Sequence, residues 1–437
     1  MLPRERSGRS VAWLWAIAVG ATLTWAPLAR ANPPAPTGPP RPPSPLAPAG
    51  EREAMAERPL GAGSYKPGNG VTLHSQDGRF ALNFAMWAQL LFTGRHEQTP
   101  VSGAAARTAS LELRRARVVL QGHAFTPHLK YYAHLMFAPK DLGFKDGAPT
   151  RAPIFQWYAT LTRLANAQLQ AGFFFVAYAR QRMAPLPRLQ FADNSTASYE
   201  FTLDQDMGLQ VASPDIAGLG LLRYYAGVFM GDGYDWYKAG DFGFTYMGRV
   251  ELLPLGMFED FNEPDFERLT RPKLSLGAAY AYSDRDHRTR AIAGTSFVDG
   301  GTMSAHNFTA DMSFKLAGFS VLADAYWRRG WRQSGGLRDE EGLPLSVQAA
   351  RNGFGWTAQM GIFVPRTRLE ASARNAGVRP PIVGASSLAR LDEVGAGLNY
   401  YFFRHAVKLQ TDYIHTWGPA LPTGRGDQVR VQLQLMF

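Results

Sequence analysis

Every second residue of "RFALNFAMWAQLLFTGR" is apolar: Phe80, Leu82, Phe84, Met86, Ala88, Leu90 and Phe92 share one face. The other face carries Arg79, Asn83, Trp87, Gln89, Thr93 and Arg95. Period two marks an extended strand whose sides meet different surroundings. Here it runs for about fifteen residues, where a strand of a soluble protein spans about five or six. A tilted strand needs about nine to eleven residues to cross a bilayer.

The pattern recurs. "ARVVLQGHAF" sets Ala116, Val118, Leu120, Gly122 and Ala124 against Arg117, Gln121 and His123. "FQWYATLT" sets Phe155, Trp157, Ala159 and Leu161 against Gln156, Tyr158 and Thr160. "KLSLGAAYAYS", "NFTADMSFKL", "GFGWTAQMGIF" and "EVGAGLNYYF" behave alike. About sixteen such segments can be counted, an even number as a closed bacterial barrel requires. Short connections are expected near Thr126–His128, Ala165–Ala167, Ala317-Gly318, Pro365-Arg366 and Phe403–His405. Long ones are expected near 96–110, 139–153, 177–204, 284–305, 330–352 and 375–390, alternating with the short ones as extracellular loops do with periplasmic turns. The segment 254–271 breaks this rhythm, being long where a short turn is due.

The fold expected is therefore all-β, a transmembrane antiparallel barrel occupying 71–437. In hydrocarbon every backbone N–H and C=O must be paired, so the sheet has to close and the last strand must meet the first. "VRVQLQLMF" suits that duty, with Val429, Val431, Leu433 and Leu435 toward lipid and Arg430, Gln432 and Gln434 inward. Phe437 would stand in the periplasmic aromatic girdle.

Upstream, Arg4, Arg6 and Arg9 precede the apolar run "VAWLWAIAVGATLTWAPL" and the small-x-small site at Ala29-Arg30-Ala31. Residues 1–31 read as a signal peptide cut before Asn32. Residues 32–70 open with "NPPAPTGPPRPPSPLAPAG", too rich in proline to pack, and read as an extended periplasmic leader. The absence of cysteine removes disulfides, thiolate metal sites and cysteine nucleophiles. The formal charge of +10 falls to +7 without the signal peptide's four arginines and one glutamate. Its arginines are scattered, unlike the concentrated basic face of a nucleic-acid binder.

Several stretches resemble the phosphate-selective porin O/P family: "LELRRARVVLQG", "LQAGFFFVAYARQRM", "LDQDMGLQVAS" with "YYAGVFMGDG", "GLNYYFFRHAVKLQTDY", and the terminal phenylalanine, which is similar to the family's outer-membrane assembly signal. The resemblance spans Phe80 to Phe437. It implies a sixteen-stranded barrel, usually a homotrimer, delivered by the outer-membrane assembly machinery and conducting small anions passively without a cofactor. The chain departs from the family in having "FFFVAY" where a lysine often follows the Gly-x-Phe segment, and "YYAHLMF" in place of a strand ending Tyr-Asp-Phe.

A pore selects by the charge and width of its lining. By alternation, Arg115, Arg117, Lys130, Arg223, Arg249, Lys273, Arg328, Arg368, Arg374, Lys408 and Arg430 face the lumen, with Glu251, Asp311, Asp324, Glu370, Glu393 and Asp412. The 177–204 loop is the candidate constriction, with Arg180, Arg182 and Arg188 able to attract anions through their planar forks. Two readings stay open for these arginines: anion attraction, or pairing with carboxylates that fixes the wall and the loop. The nine histidines are mostly single. His74, His96 and His287 fall in loops or the leader, while His123 and His134 face the lumen without a recognisable nucleophile. No metal-binding or phosphate-loop motif is present. The function expected is a bacterial outer-membrane porin for small anions, phosphate or other oxyanions. The alternatives are a general diffusion pore and a non-conducting envelope barrel.

Overall fold

The computed structural model describes residues 58–60, 63–98, 105–145, 148–235, 243–290 and 293–437. The expected signal peptide and the leader as far as residue 57 lie outside the described residues. Sixteen strands form one closed antiparallel barrel: β1 (Ala81–Gln98), β2 (Ala105–Ala124), β3 (Thr126–Met136), β4 (Ile154–Leu161), β5 (Gln168–Phe175), β6 (Gln205–Ser213), β7 (Leu222–Phe229), β8 (Thr245–Leu252), β9 (Lys273–Asp286), β10 (Thr302–Leu316), β11 (Phe319–Gln333), β12 (Gly353–Phe363), β13 (Leu369–Arg379), β14 (Leu391–Phe403), β15 (Val407–Trp417) and β16 (Arg425–Met436). Each pairs with the next, and β16 returns to β1 from Gly426↔Glu97 to Met436↔Trp87. The last residue is paired too. Met86 N–H donates to Phe437 O at 2.7 Å, and Phe437 N–H donates to Met86 O at 2.9 Å.

The alternation maps onto the wall. Phe92 (41% exposed) and Leu276 (40%) face outward, whereas Gln89 and Ser275 (both 0%) face inward. The turn Ala317-Gly318, with φ of 54° and 85°, joins β10 to β11 in two residues. Positive φ at both central positions gives the type I′ twist that such hairpins favour.

Three expectations are corrected. Within 96–110, residues 96–98 and 105–110 are strand, because β1 and β2 extend as a paired ladder from Ala81↔His123 to Gln98↔Ala105. Phe155 turns inward (6% exposed), because His134 pairs with Gln156 and Leu135 with Ile154, leaving Phe155 as a bulge. A bulge adds one residue and shifts the phase of alternation. Residues 63–70, placed in the leader, belong to a meander of strands Arg58–Leu60, Gly63–Lys66 and Gly70–His74. Its last strand pairs with Ala81–Phe84 of β1, the edge left open because β16 ends opposite Trp87.

Two features position the site. The strands β4–β8 are only eight or nine residues long, making one wall low. Two connections fold into the barrel from opposite ends: 176–204 between β5 and β6, and 253–272 between β8 and β9, the latter from the end that carries the Ala317-Gly318 turn.

Candidate functional site: the lumen and its two inward-folded segments

The 176–204 connection is compact. It contains a helical turn (Arg180–Met183), a 3-10 turn (Leu186–Arg188) and a helix (Thr196–Phe201) capped by Ser195, whose Oγ accepts from Ser198 N–H at 3.1 Å. Pro185 and Pro187 cannot donate to a continuing helix and break the path between the turns. Phe174, Val176, Tyr178, Ala197 and Phe201 pack with Tyr326, Ala376 and Val378 of the wall. Gly361 makes room for the approach: a Cβ there would lie 1.9 Å from Gln190 Nε2.

Most lumen arginines meet carboxylates. Arg249 grips Asp311 (2.6 Å) and Glu251 (2.8 Å), and Arg180 reaches across from the loop to Asp311 (2.7 Å) and Asp260 (2.8 Å). Arg223 joins the same cluster through Glu251 (3.1 Å) and Asp260 (2.9 Å). Arg430 holds Asp412 (2.6 Å), Arg374 holds Glu393 (2.6 Å), and Arg328 lies 3.4 Å from Glu200. Arg117 pairs with Asp141 (2.9 Å) beneath the ring of Phe155 (3.8 Å). Arg115 holds Asp193 of the loop at 2.5 Å. Arg114 is a second bulge, since Gln89 pairs with Arg115 and Leu90 with Leu113, so it turns inward and meets Asp193 at 3.1 Å. Alternation alone hides such a residue.

The remaining basic groups differ. Lys408 donates to Leu189 O (2.9 Å) and Lys273 to Leu255 O (2.6 Å). Lys130 is exposed in a polar cavity with Asn83, Gln121 and Thr160. Arg368 lies in the turn before β13 and donates to Phe402 O (2.8 Å). In the loop, Arg182 is held by Asp204 (2.5 Å). Arg188 has no hydrogen-bond or ion-pair partner for its guanidinium among the described residues, and it lines the central cavity. Of the carboxylates, Glu370 accepts from Tyr401 Oη (2.6 Å) and Gln190 (2.6 Å), and Asp324 lies opposite Asp311 in the ladder.

The 253–272 connection supplies groups that alternation could not reveal, since it has no strand period. Glu263 accepts from Gln190 N–H (2.7 Å) and Gln359 (2.7 Å), and Phe266 packs against Phe363, Tyr401 and His405. Burial opposes ionisation of Asp260, yet Arg180 and Arg223 hold its carboxyl below the ordinary range. Burial likewise opposes Asp193, and Arg115, Arg114 and Arg430 hold it lower still.

The lumen is thus asymmetric. Beside β8–β16 the inward strand residues are buried under the two connections. Beside β1–β7 a cavity of about 610 Å³ runs past Trp87, Tyr132, His134, Tyr158, Gln170 and Tyr225 to Arg188 and Glu259. Tyr132 and Tyr158 stack at 5.0 Å on its wall. Among the described residues no three His, Asp or Glu side chains are placed to hold a metal ion.

No family model and no curated protein matches this sequence. Solved structures do. A loop L8 deletion mutant of OmpT, an outer membrane protein of Vibrio cholerae, is 10% identical with a TM-score of 0.50, covering 82% of this chain and 99% of that one. The fold is that of an outer-membrane β-barrel. A BenF-like porin from Pseudomonas fluorescens Pf-5 (13% identical, 82% and 98% covered, TM-score 0.42) and OccK1 (OpdK) of Pseudomonas aeruginosa (12%, 82% and 98%, 0.40) are similar at a greater distance.

Proposed function

We propose that this outer-membrane barrel is a bacterial porin, a passive channel that favours small anions, phosphate and other oxyanions among them. One observation carries the preference. Arg188 lines the passage with no carboxylate partner among the described residues, while Arg180 and Arg182 of the same loop are clasped. A guanidinium stays charged at any working pH, and in a cleft with low-dielectric walls one fixed cation raises the local concentration of anions. A weakly selective pore is the second reading, favoured by the carboxylates opposite Arg115, Arg249, Arg374 and Arg430. Reversal potentials in a potassium chloride gradient separate the two. Anion preference in the native channel, reduced about two- to fivefold by Arg188→Gln, supports the first. An unselective native channel, or one that Arg188→Gln leaves unchanged, supports the second.

Export through the signal peptide and assembly guided by Phe437 belong to the same reading. So does association of copies, with a homotrimer as the expected form. The low wall β4–β8 supports it, since strands of eight or nine residues are at the lower limit for crossing the apolar layer.

A further inference from the structure

We infer that the 253–272 connection is a plug that closes the β8–β16 half of the lumen and sets the solute size limit, with Lys315 as the pin on which it is wound. The inference rests on the pore reading and adds to it which half conducts and why. A turn at this end needs few residues, as Ala317-Gly318 shows two connections later. These twenty instead enter the barrel, and Asp260, Asn262, Glu263, Pro264, Asp265 and Phe266 are all buried.

The contacts are those of a seated element. The Lys315 ammonium, near the inner end of β10, donates to the carbonyls of Glu259 (2.7 Å), Asn262 and Pro264 (3.1 Å). An ammonium has three donors, and all three are spent on the backbone of one turn. Carbonyl oxygens aimed at a single point fold the chain around that point. Asp265 then caps the neighbouring turn, accepting from Gly318 N–H (2.8 Å) and Leu269 N–H (3.1 Å). At its far side the plug meets the loop that descends from the other end. Asp260 takes Arg180, Glu263 takes Gln190 N–H, and Glu263 N–H donates to Arg188 O (3.3 Å). Plug and loop therefore form one partition across the barrel, and the Arg188 carbonyl ties the free arginine to it. Solute is left the aromatic and amide-lined side, at whose edge Glu259 stands exposed.

Planar-bilayer recording of the full chain tests this. Lys315→Met leaves three inward carbonyls without their donor, so the plug should release. Single-channel conductance should rise about twofold or more and larger neutral solutes should pass. A second arm does not depend on that variant folding. The chain has no cysteine, so Glu259→Cys offers a single thiol to a charged methanethiosulfonate reagent. Modification should cut the current, because the thiol stands beside the cavity the plug leaves open. A folded Lys315→Met channel of native conductance overturns the plug, as does complete labelling of Glu259→Cys with no change in current. A native protein and a Lys315→Met variant that are both silent overturn the pore reading itself. A silent native protein opened by Lys315→Met supports a plug that closes the lumen fully.

Discussion

The two halves of this barrel are built on different physics. Beside β8–β16, buried arginines and carboxylates interlock with two inward segments that cover the inward strand residues. Beside β1–β7, aromatic and amide side chains face a cavity of about 610 Å³. The ion pairs reach β2 and β7 as well, through Arg114, Arg115, Arg117 and Arg223, whereas the charged side chains that border the cavity are Lys66, Arg188, Glu259 and Arg404. Buried ion pairs of this kind hold parts in one arrangement; once desolvated and paired, they have little attraction left for a passing ion. On the proposed pore reading, selectivity then depends on the few charges outside the network, Arg188 first.

The contrast can be broken most severely at its centre. Asp311→Ala would leave Arg180 and Arg249 buried with fewer carboxylates, and loss of one partner in a buried pair costs about 3–5 kcal/mol. Gln170→Ala, facing the cavity, should stay within about 0.5 kcal/mol. Urea unfolding of the reconstituted barrel measures both, and equal effects would erase the distinction. Next comes the outer wall, where both halves meet lipid. Leu276→Arg should cost about 2–4 kcal/mol at mid-membrane by the same assay. Removing Phe437 deletes two backbone hydrogen bonds to Met86, each contributing about 1 kcal/mol. The yield of folded barrel should fall further than after shortening an exposed loop by one residue. The smallest effect is expected from acid. Asp193 and Asp260 have folded-state values below the ordinary one. Their stabilisation is therefore complete above the unfolded value of about 3.9 and is lost only as pH falls through the lower folded value. The difference in unfolding free energy between the native chain and an Asp193→Asn/Asp260→Asn variant should stay flat from about pH 8 to pH 5, and a change in that difference within the window would show that these two carboxylates are not held ionised by their arginines.

Much of the wall was legible because alternation is local. Leu276, Phe92 and Leu433 face outward as their spacing requires, and the terminal strand meets the first. One misreading falls where an extra residue enters a strand. Phe155 is a bulge, and nothing in its immediate neighbours announces the shift; the same device brings Arg114 inward unannounced. The meander before β1 escaped because its partner edge exists only when β16 stops short at Met436. In the lumen, alternation placed Arg249, Arg374 and Arg430 inside but could not say what they would meet. Arg180 and Asp311 lie 131 positions apart and touch only because the loop descends.

Strand period, inward and outward faces, and closure of the sheet were determined by the sequence alone, because a two-residue repeat against hydrocarbon leaves the backbone one way to pair. Which charges are spent and which stay free was decided only by tertiary structure, because pairing depends on distance. Those distances are set by two irregular segments, entering from opposite ends, whose paths carry no repeat to read.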